Sequence, residues 1–138
     1  MVAPVNICII DDDDIYQFTV VKTLELLKFK KKIISFYDGE EAMEFIMNHH
    51  NEKKKLPDVI FLDINMPVMD GFQFMEAYSE IKSTLAKKTI IYMVSSSVDP
   101  VDIEKVEKLN DVSDYVVKPI APSELKKIME NMLGEHLK

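Results

Sequence analysis

The chain has 138 residues, 47% of them hydrophobic and 30% charged, with a formal net charge of −7 and a single cysteine. That size and balance suit one globular domain with one core, and the acidity argues against a nucleic-acid binder held by backbone charge, which needs a basic face. The lone thiol, Cys8, excludes an internal disulfide and a Cys-based zinc site; no apolar run approaches ~18 residues and no basic leader opens the chain, so the expected location is cytoplasmic and no membrane partner is expected.

Val5 to Ile10 is apolar save for Asn6 and predicts a central strand buried on both faces. It stops at Asp11–Asp12–Asp13–Asp14. Tyr16, Val20, Leu24 and Leu27 follow at spacings of four and three, a helical stripe. One of the later aspartates can cap that helix, whose positive end favours acidic residues. Lys30 to Lys32 reads as a basic turn closing it, and Ile33 to Phe36 as a second strand. Asp38–Gly39 is a turn signal before a second helix carrying Ala42, Phe45 and Ile46. Asn48 to Pro57 is a polar connection. Val59 to Leu62 is a short apolar run that ends in Asp63, the pattern of a buried strand with a carboxylate at its end.

After a Pro-containing loop, Phe74, Ala77, Tyr78 and Ile81 mark a third helix. Thr89 to Val94 is a fourth strand and runs into Ser95–Ser96–Ser97. Asp99–Pro100 pairs an N-cap with a proline in the first helical position. The thin stripe of Ile103 and Val106 predicts a short, loosely held helix, and Asn110–Asp111, which tolerate left-handed backbone, predict its stop. Tyr115 to Val117 is a fifth strand ended by Lys118–Pro119. Pro122 opens a last helix with Leu125, Ile128, Met129, Met132 and Leu133 on one face.

Strand and helix alternate five times, which predicts an α/β fold with a parallel sheet, helices on both faces and right-handed crossovers. The whole chain, 1–138, is expected to be one domain with no appended output domain. Ligands of such sheets bind at the carboxyl ends of the strands. Where the first and third strands lie side by side, Asp11, Asp12 and Asp63 converge. Two like charges ~4 Å apart repel by roughly 4 kcal/mol at an effective dielectric near 20, so the cluster needs a cation or a bound proton. Few carboxylate ligands with room for water suit Mg²⁺. The other strand ends add the hydroxyl of Ser95 and the ammonium of Lys118. A carboxylate nucleophile, a hydroxyl, an ammonium and a metal make a phosphoryl-transfer site. His49, His50 and His136 lack partners at metal-ligand spacing.

The acidic doublet after the first strand (IIDD), the LDINMPVMDG stretch, MVSS and YVVKP occur in order on the right elements. Over nearly its whole length the chain resembles a receiver domain of two-component response regulators, a stand-alone, chemotaxis-regulator-like one. The resemblance implies a doubly wound, flavodoxin-like (βα)5 fold with strand order 2-1-3-4-5. It implies that Asp63 is the phosphoacceptor, attacking a phosphohistidine. Asp12 matches the direct Mg²⁺ (or Mn²⁺) ligand, Asp11 its neighbour acting through water, and the Asn65 backbone carbonyl a further ligand. The four-Asp run admits Asp11/Asp12 or Asp12/Asp13 as the metal pair; the first directly follows the apolar run. Lys118 matches the lysine that pairs with Asp63 and then with the phosphoryl oxygens, aimed by a cis bond to Pro119. Ser95 matches the switch hydroxyl and Tyr115 the aromatic residue that follows it.

The implied partners are a sensor histidine kinase or a histidine phosphotransfer protein, and an unknown downstream protein met through the face of helix 4, strand 5 and helix 5. A monomer or weak dimer is expected, and no turnover of an external substrate beyond the protein's own phosphorylation and dephosphorylation. The alternative on the same site is a relay intermediate that passes its phosphoryl group to another histidine. An FMN binder is disfavoured by the negative charges after the first strand. An Asp-x-Asp phosphatase lacks its general acid, because Asn65 stands there, and a P-loop enzyme lacks G-x-x-x-x-G-K.

Overall fold

The computed structural model describes residues 4–96 and 98–136. Five strands, β1 (Val5–Ile10), β2 (Lys31–Phe36), β3 (Val59–Asp63), β4 (Ile90–Ser95) and β5 (Asp114–Val117), alternate with α1 (Asp14–Glu25), α2 (Gly39–Asn48), α3 (Gly71–Ile81), α4 (Pro100–Glu107) and α5 (Pro122–His136). All pairings are parallel, in the order β2-β1-β3-β4-β5. The doubly wound, flavodoxin-like fold is therefore as expected.

Side chains alternate along each strand and divide the core in two. Val5, Ile7 and Ile9 of β1, with Val59 and Phe61 of β3, pack with Val20 and Leu24 of α1 and Leu125 and Met129 of α5. Cys8, Ile10, Ile60 and Leu62 pack the other way, against Ala42, Met43, Phe74 and Val106 from α2, α3 and α4. A fully buried aliphatic or aromatic side chain of this kind contributes roughly 1.5–3 kcal/mol. The same alternation sets the rim. Ile10 pairs with Leu62, so the next residues, Asp11 and Asp63, lie side by side and share the parity of the α1/α5 face.

Asn6, the polar residue inside β1, is buried because it is used. Its side-chain amide donates to the carbonyls of Lys54 and Leu56, and its backbone N–H donates to Asp58. The polar connection between α2 and β3 is thereby fastened under the sheet. Lys87 completes the fastening through an ion pair of 2.9 Å with Asp58.

Several strand ends shift by one residue from the sequence expectation, β4 running Ile90–Ser95 rather than Thr89–Val94, and larger differences occur at α1, α3 and α4. Helix α1 stops at Glu25, and Lys31 and Lys32 belong to β2, where they pair with Val5 and Asn6 of β1. Lysines suit this edge strand, since charge there discourages pairing with another chain. A 3-10 helix at Lys82–Thr84 extends α3. Helix α4 ends at Glu107 rather than at Asn110–Asp111, and Val68 is the one non-glycine residue with positive φ among the described residues. The helix closes early because Lys108 and Leu109 donate to the carbonyls three residues back, and beyond Val106 it has no buried side chain to hold a further turn. As expected, α4 is short and thinly anchored, with Asp99 capping it and Pro100 in its first turn.

Candidate functional site

The carboxyl rim of β1 and β3 carries the acidic cluster. Asp11 and Asp63 are 1% and 4% exposed, whereas Asp12 is open to solvent. One oxygen from each of the three lies within 4.8 Å of the others. Asp13 is committed elsewhere: it caps α1, accepting from the backbone N–H groups of Ile15 and Tyr16. Asp14 begins the helix and is exposed. The converging acids are thus Asp11, Asp12 and Asp63.

Lys118 follows β5 and reaches back over the rim. Its Nζ is 2.6 Å from Asp11 Oδ2 and 3.5 Å from Asp63 Oδ1. The Lys118–Pro119 bond is cis, as the resemblance implied. The Lys118 backbone N–H donates to the carbonyl of Ser95 at 2.8 Å, which ties the chain after β5 to the end of β4. Ser95 itself is wholly buried. Tyr115 is half-buried at the edge of the α2/α3/α4 cluster. Ser96 is exposed, and Ser97 lies outside the described residues.

Burial, reinforced by the neighbouring Asp11 charge, pushes the Asp63 carboxyl up to about 6. Lys118 and the backbone N–H of Asn65 oppose that rise. Burial also raises Asp11, against the pull of Lys118 and of the Asp13 backbone N–H. One ammonium therefore leaves the three acids under-compensated. A divalent cation fits this donor set: the ligands are oxygens, they are gathered, and Asp12 leaves one side open to water.

The loop after β3 is shaped around Asp63. The Gly71 N–H donates to the Ile64 carbonyl at 2.8 Å. A methyl group at Gly71 would come within 2.7 Å of the Asp63 carbonyl oxygen and 2.9 Å of Ile64 Cα. Glycine is what lets α3 begin this close to the strand end. Asp70 and Gln73 form a reciprocal capping box that fixes the same start. Val68 has φ 67°, a left-handed conformation that a β-branched residue adopts only under strain.

Two neighbours of the site were not singled out from sequence. Gln17 is buried, and its side-chain amide donates to the carbonyls of Ile9, Asp11 and Phe36. It clamps α1 to the ends of β1 and β2. Tyr16, which belongs to the helical stripe of α1, has its ring centroid 4.5 Å from the Lys118 ammonium. The signal for Gln17 was a polar residue beside a helical stripe, with no carbonyls yet placed to receive it.

The family model for the response regulator receiver domain matches residues 7–130. The chain is 29% identical to a two-component response regulator from Cytophaga hutchinsonii, covering 94% of this chain and 96% of that one with a TM-score of 0.82. It is 28% identical to the Vibrio cholerae chemotaxis protein CheY4, covering 94% and 99% with a TM-score of 0.75. Among curated proteins, it is 24% identical to a probable methanogenesis regulatory protein, FilR2, of Methanothrix harundinacea, over 94% of this chain and 81% of the relative. Of several other curated relatives the chain spans only 8% to 51% of their length. Among the described residues no helix is long and apolar enough to cross a membrane. Fold, rim and family match agree: the chain belongs to the response regulator receiver domains of two-component signal transduction.

Proposed function

We propose that this domain accepts a phosphoryl group on Asp63 from a phosphohistidine of a sensor kinase or phosphotransfer protein, and signals through a changed α4–β5–α5 face. The observation that carries the reading is the convergence of Asp11, Asp12 and Asp63 within 4.8 Å, with Lys118 against the two buried members. An Asp63 oxygen attacks phosphorus, the phosphorus–nitrogen bond breaks, and the imidazole leaves with the electron pair and takes up a proton. Asp11, Asp12, Asp63 and the backbone carbonyl of Asn65 would hold Mg²⁺ or Mn²⁺. Bound there, the metal supplies positive charge to the phosphoryl oxygens.

The residues do the rest. Asp63 is a nucleophile only when ionised, and Lys118 favours that form. Phosphorylation adds roughly −1.5 to −2 units of charge and three acceptor oxygens. Lys118 turns to one of these oxygens and Ser95 donates to another. Tyr115 then moves into the space beside Ser95. Helix α4, with Val106 its one buried side chain, suits an element with two arrangements close in energy.

Incubation with acetyl phosphate and Mg²⁺, read by intact mass, tests this. The expected result is addition of one phosphoryl group that Asp63→Asn abolishes with the fold intact. Unchanged uptake in that variant would end the assignment.

A further inference from the structure

Tyr16 sits in the first turn of α1 and has no part in the phosphoacceptor reading. Its ring nevertheless bounds the site. The Lys118 ammonium that touches Asp11 at 2.6 Å and Asp63 at 3.5 Å also lies 4.5 Å from the Tyr16 ring centroid. The carboxylates hold this ammonium, and the ring face closes on it. The side chain of Lys118 is only 13% exposed, so little water competes for it, and a desolvated cation on an aromatic face is held more strongly than an exposed one.

The backbone that carries the ring is fastened at the start of α1. Gln17, the next residue, is bonded to the carbonyls of Ile9, Asp11 and Phe36, and Asp13 caps the helix start. Tyr16 is therefore mounted between a capped helix start and a side chain bonded to two strand ends. Its hydroxyl is buried without a hydrogen-bond partner, which carries a desolvation penalty. What Tyr16 offers the site is the face of its ring.

We propose that Tyr16 is a positioning residue for Lys118: its ring keeps the ammonium against Asp11 and Asp63, ready to meet the phosphoryl group. The proposal rests on the phosphoacceptor reading of Asp63 for its effect on rate, while the ring–ammonium coupling itself does not.

The test is a double-mutant cycle on the full chain. Tyr16→Phe and Tyr16→Leu are made alone and with Lys118→Ala, with Lys118→Met as a second partner that keeps part of the aliphatic stem. Phosphorylation by acetyl phosphate at saturating Mg²⁺ is expected to slow about tenfold in Tyr16→Leu and to stay within about twofold of wild type in Tyr16→Phe. In either Lys118 background, Tyr16→Leu is expected to slow it no further. Urea unfolding of the same metal-free proteins supplies a readout independent of phosphorylation, and there the Tyr16→Leu and Lys118 substitutions are expected to be non-additive. Equal loss in Tyr16→Phe and Tyr16→Leu, or additive effects of Tyr16 and Lys118 in both measurements, would overturn the proposal. Wild-type protein that takes up no phosphoryl group while the unfolding cycle still shows coupling would refute the phosphoacceptor reading and leave the positioning of Lys118 standing.

Discussion

The Lys118 ammonium stands closer to Asp11, at 2.6 Å, than to Asp63, at 3.5 Å. Both carboxylates are buried, so this one cation supplies much of the stabilisation that water would supply on the surface. It lies nearest Asp11, one of the three acids proposed to hold a metal, and within reach of Asp63, the acid proposed to carry the phosphoryl group.

Removing that cation leaves two buried carboxylates uncompensated. Lys118→Ala is expected to destabilise the metal-free protein at pH 7 by about 3 kcal/mol, read as a lower urea midpoint. Mg²⁺ or a lower pH should recover part of the loss. Phosphorylation of Asp63 should still occur in this variant, slowed at least as much as in Tyr16→Leu, while the partner response fails. A normal partner response would count against the proposed role of Lys118.

Asp63 gives a pH signature. Its carboxyl is raised from 3.8 to about 6 by burial and the Asp11 charge. The folded state therefore binds the proton more tightly than the unfolded chain. Ionised Asp63 opposes folding above about pH 6, and the opposition fades as pH falls toward the unfolded value. Metal-free Asp63→Asn is expected to be more stable than wild type at pH 7, by on the order of 2 kcal/mol. The difference should shrink between pH 6 and 4, and saturating Mg²⁺ should reverse it. A variant less stable than wild type at pH 7 without metal would contradict this electrostatic account.

Gly71 ties α3 to the phosphoacceptor strand. A methyl group there meets Asp63 and Ile64 backbone atoms below 3.0 Å, which cannot rotate away. Gly71→Ala is expected to cost about 1–3 kcal/mol and to slow phosphorylation by displacing Asp63. Gly134 has nothing within 4 Å of the same added atom and lies in α5. Gly134→Ala is expected to be neutral or stabilising by about 0.5–1 kcal/mol.

The order of elements was legible because apolar period and end signals agree. Val5 to Ile10 is an unbroken buried strand, Asp38 caps a helix where a turn signal stands, and Asp99 caps one as its place before Pro100 predicts. The acids and the lysine were legible because strand ends gather them at one rim. What escaped depends on contacts between distant elements. Lys31 and Lys32 join β2 because β1 pairs with them, not through their own preference. The Tyr16 ring meets Lys118 across 102 residues, which the periodicity of α1 cannot report. The left-handed backbone at Val68 runs against its β-branched side chain, and no local signal announces it.

The most direct measurement is chemical trapping of the phosphorylated residue. Treatment of the acetyl phosphate-labelled protein with borohydride reduces an acyl phosphate to an alcohol at the side chain that carried it, and peptide mass spectrometry then locates the change. The account predicts reduction at Asp63 alone, dependent on Mg²⁺. Reduction at Asp11 or Asp12 instead, or labelling that resists borohydride because it sits on a histidine, would contradict it.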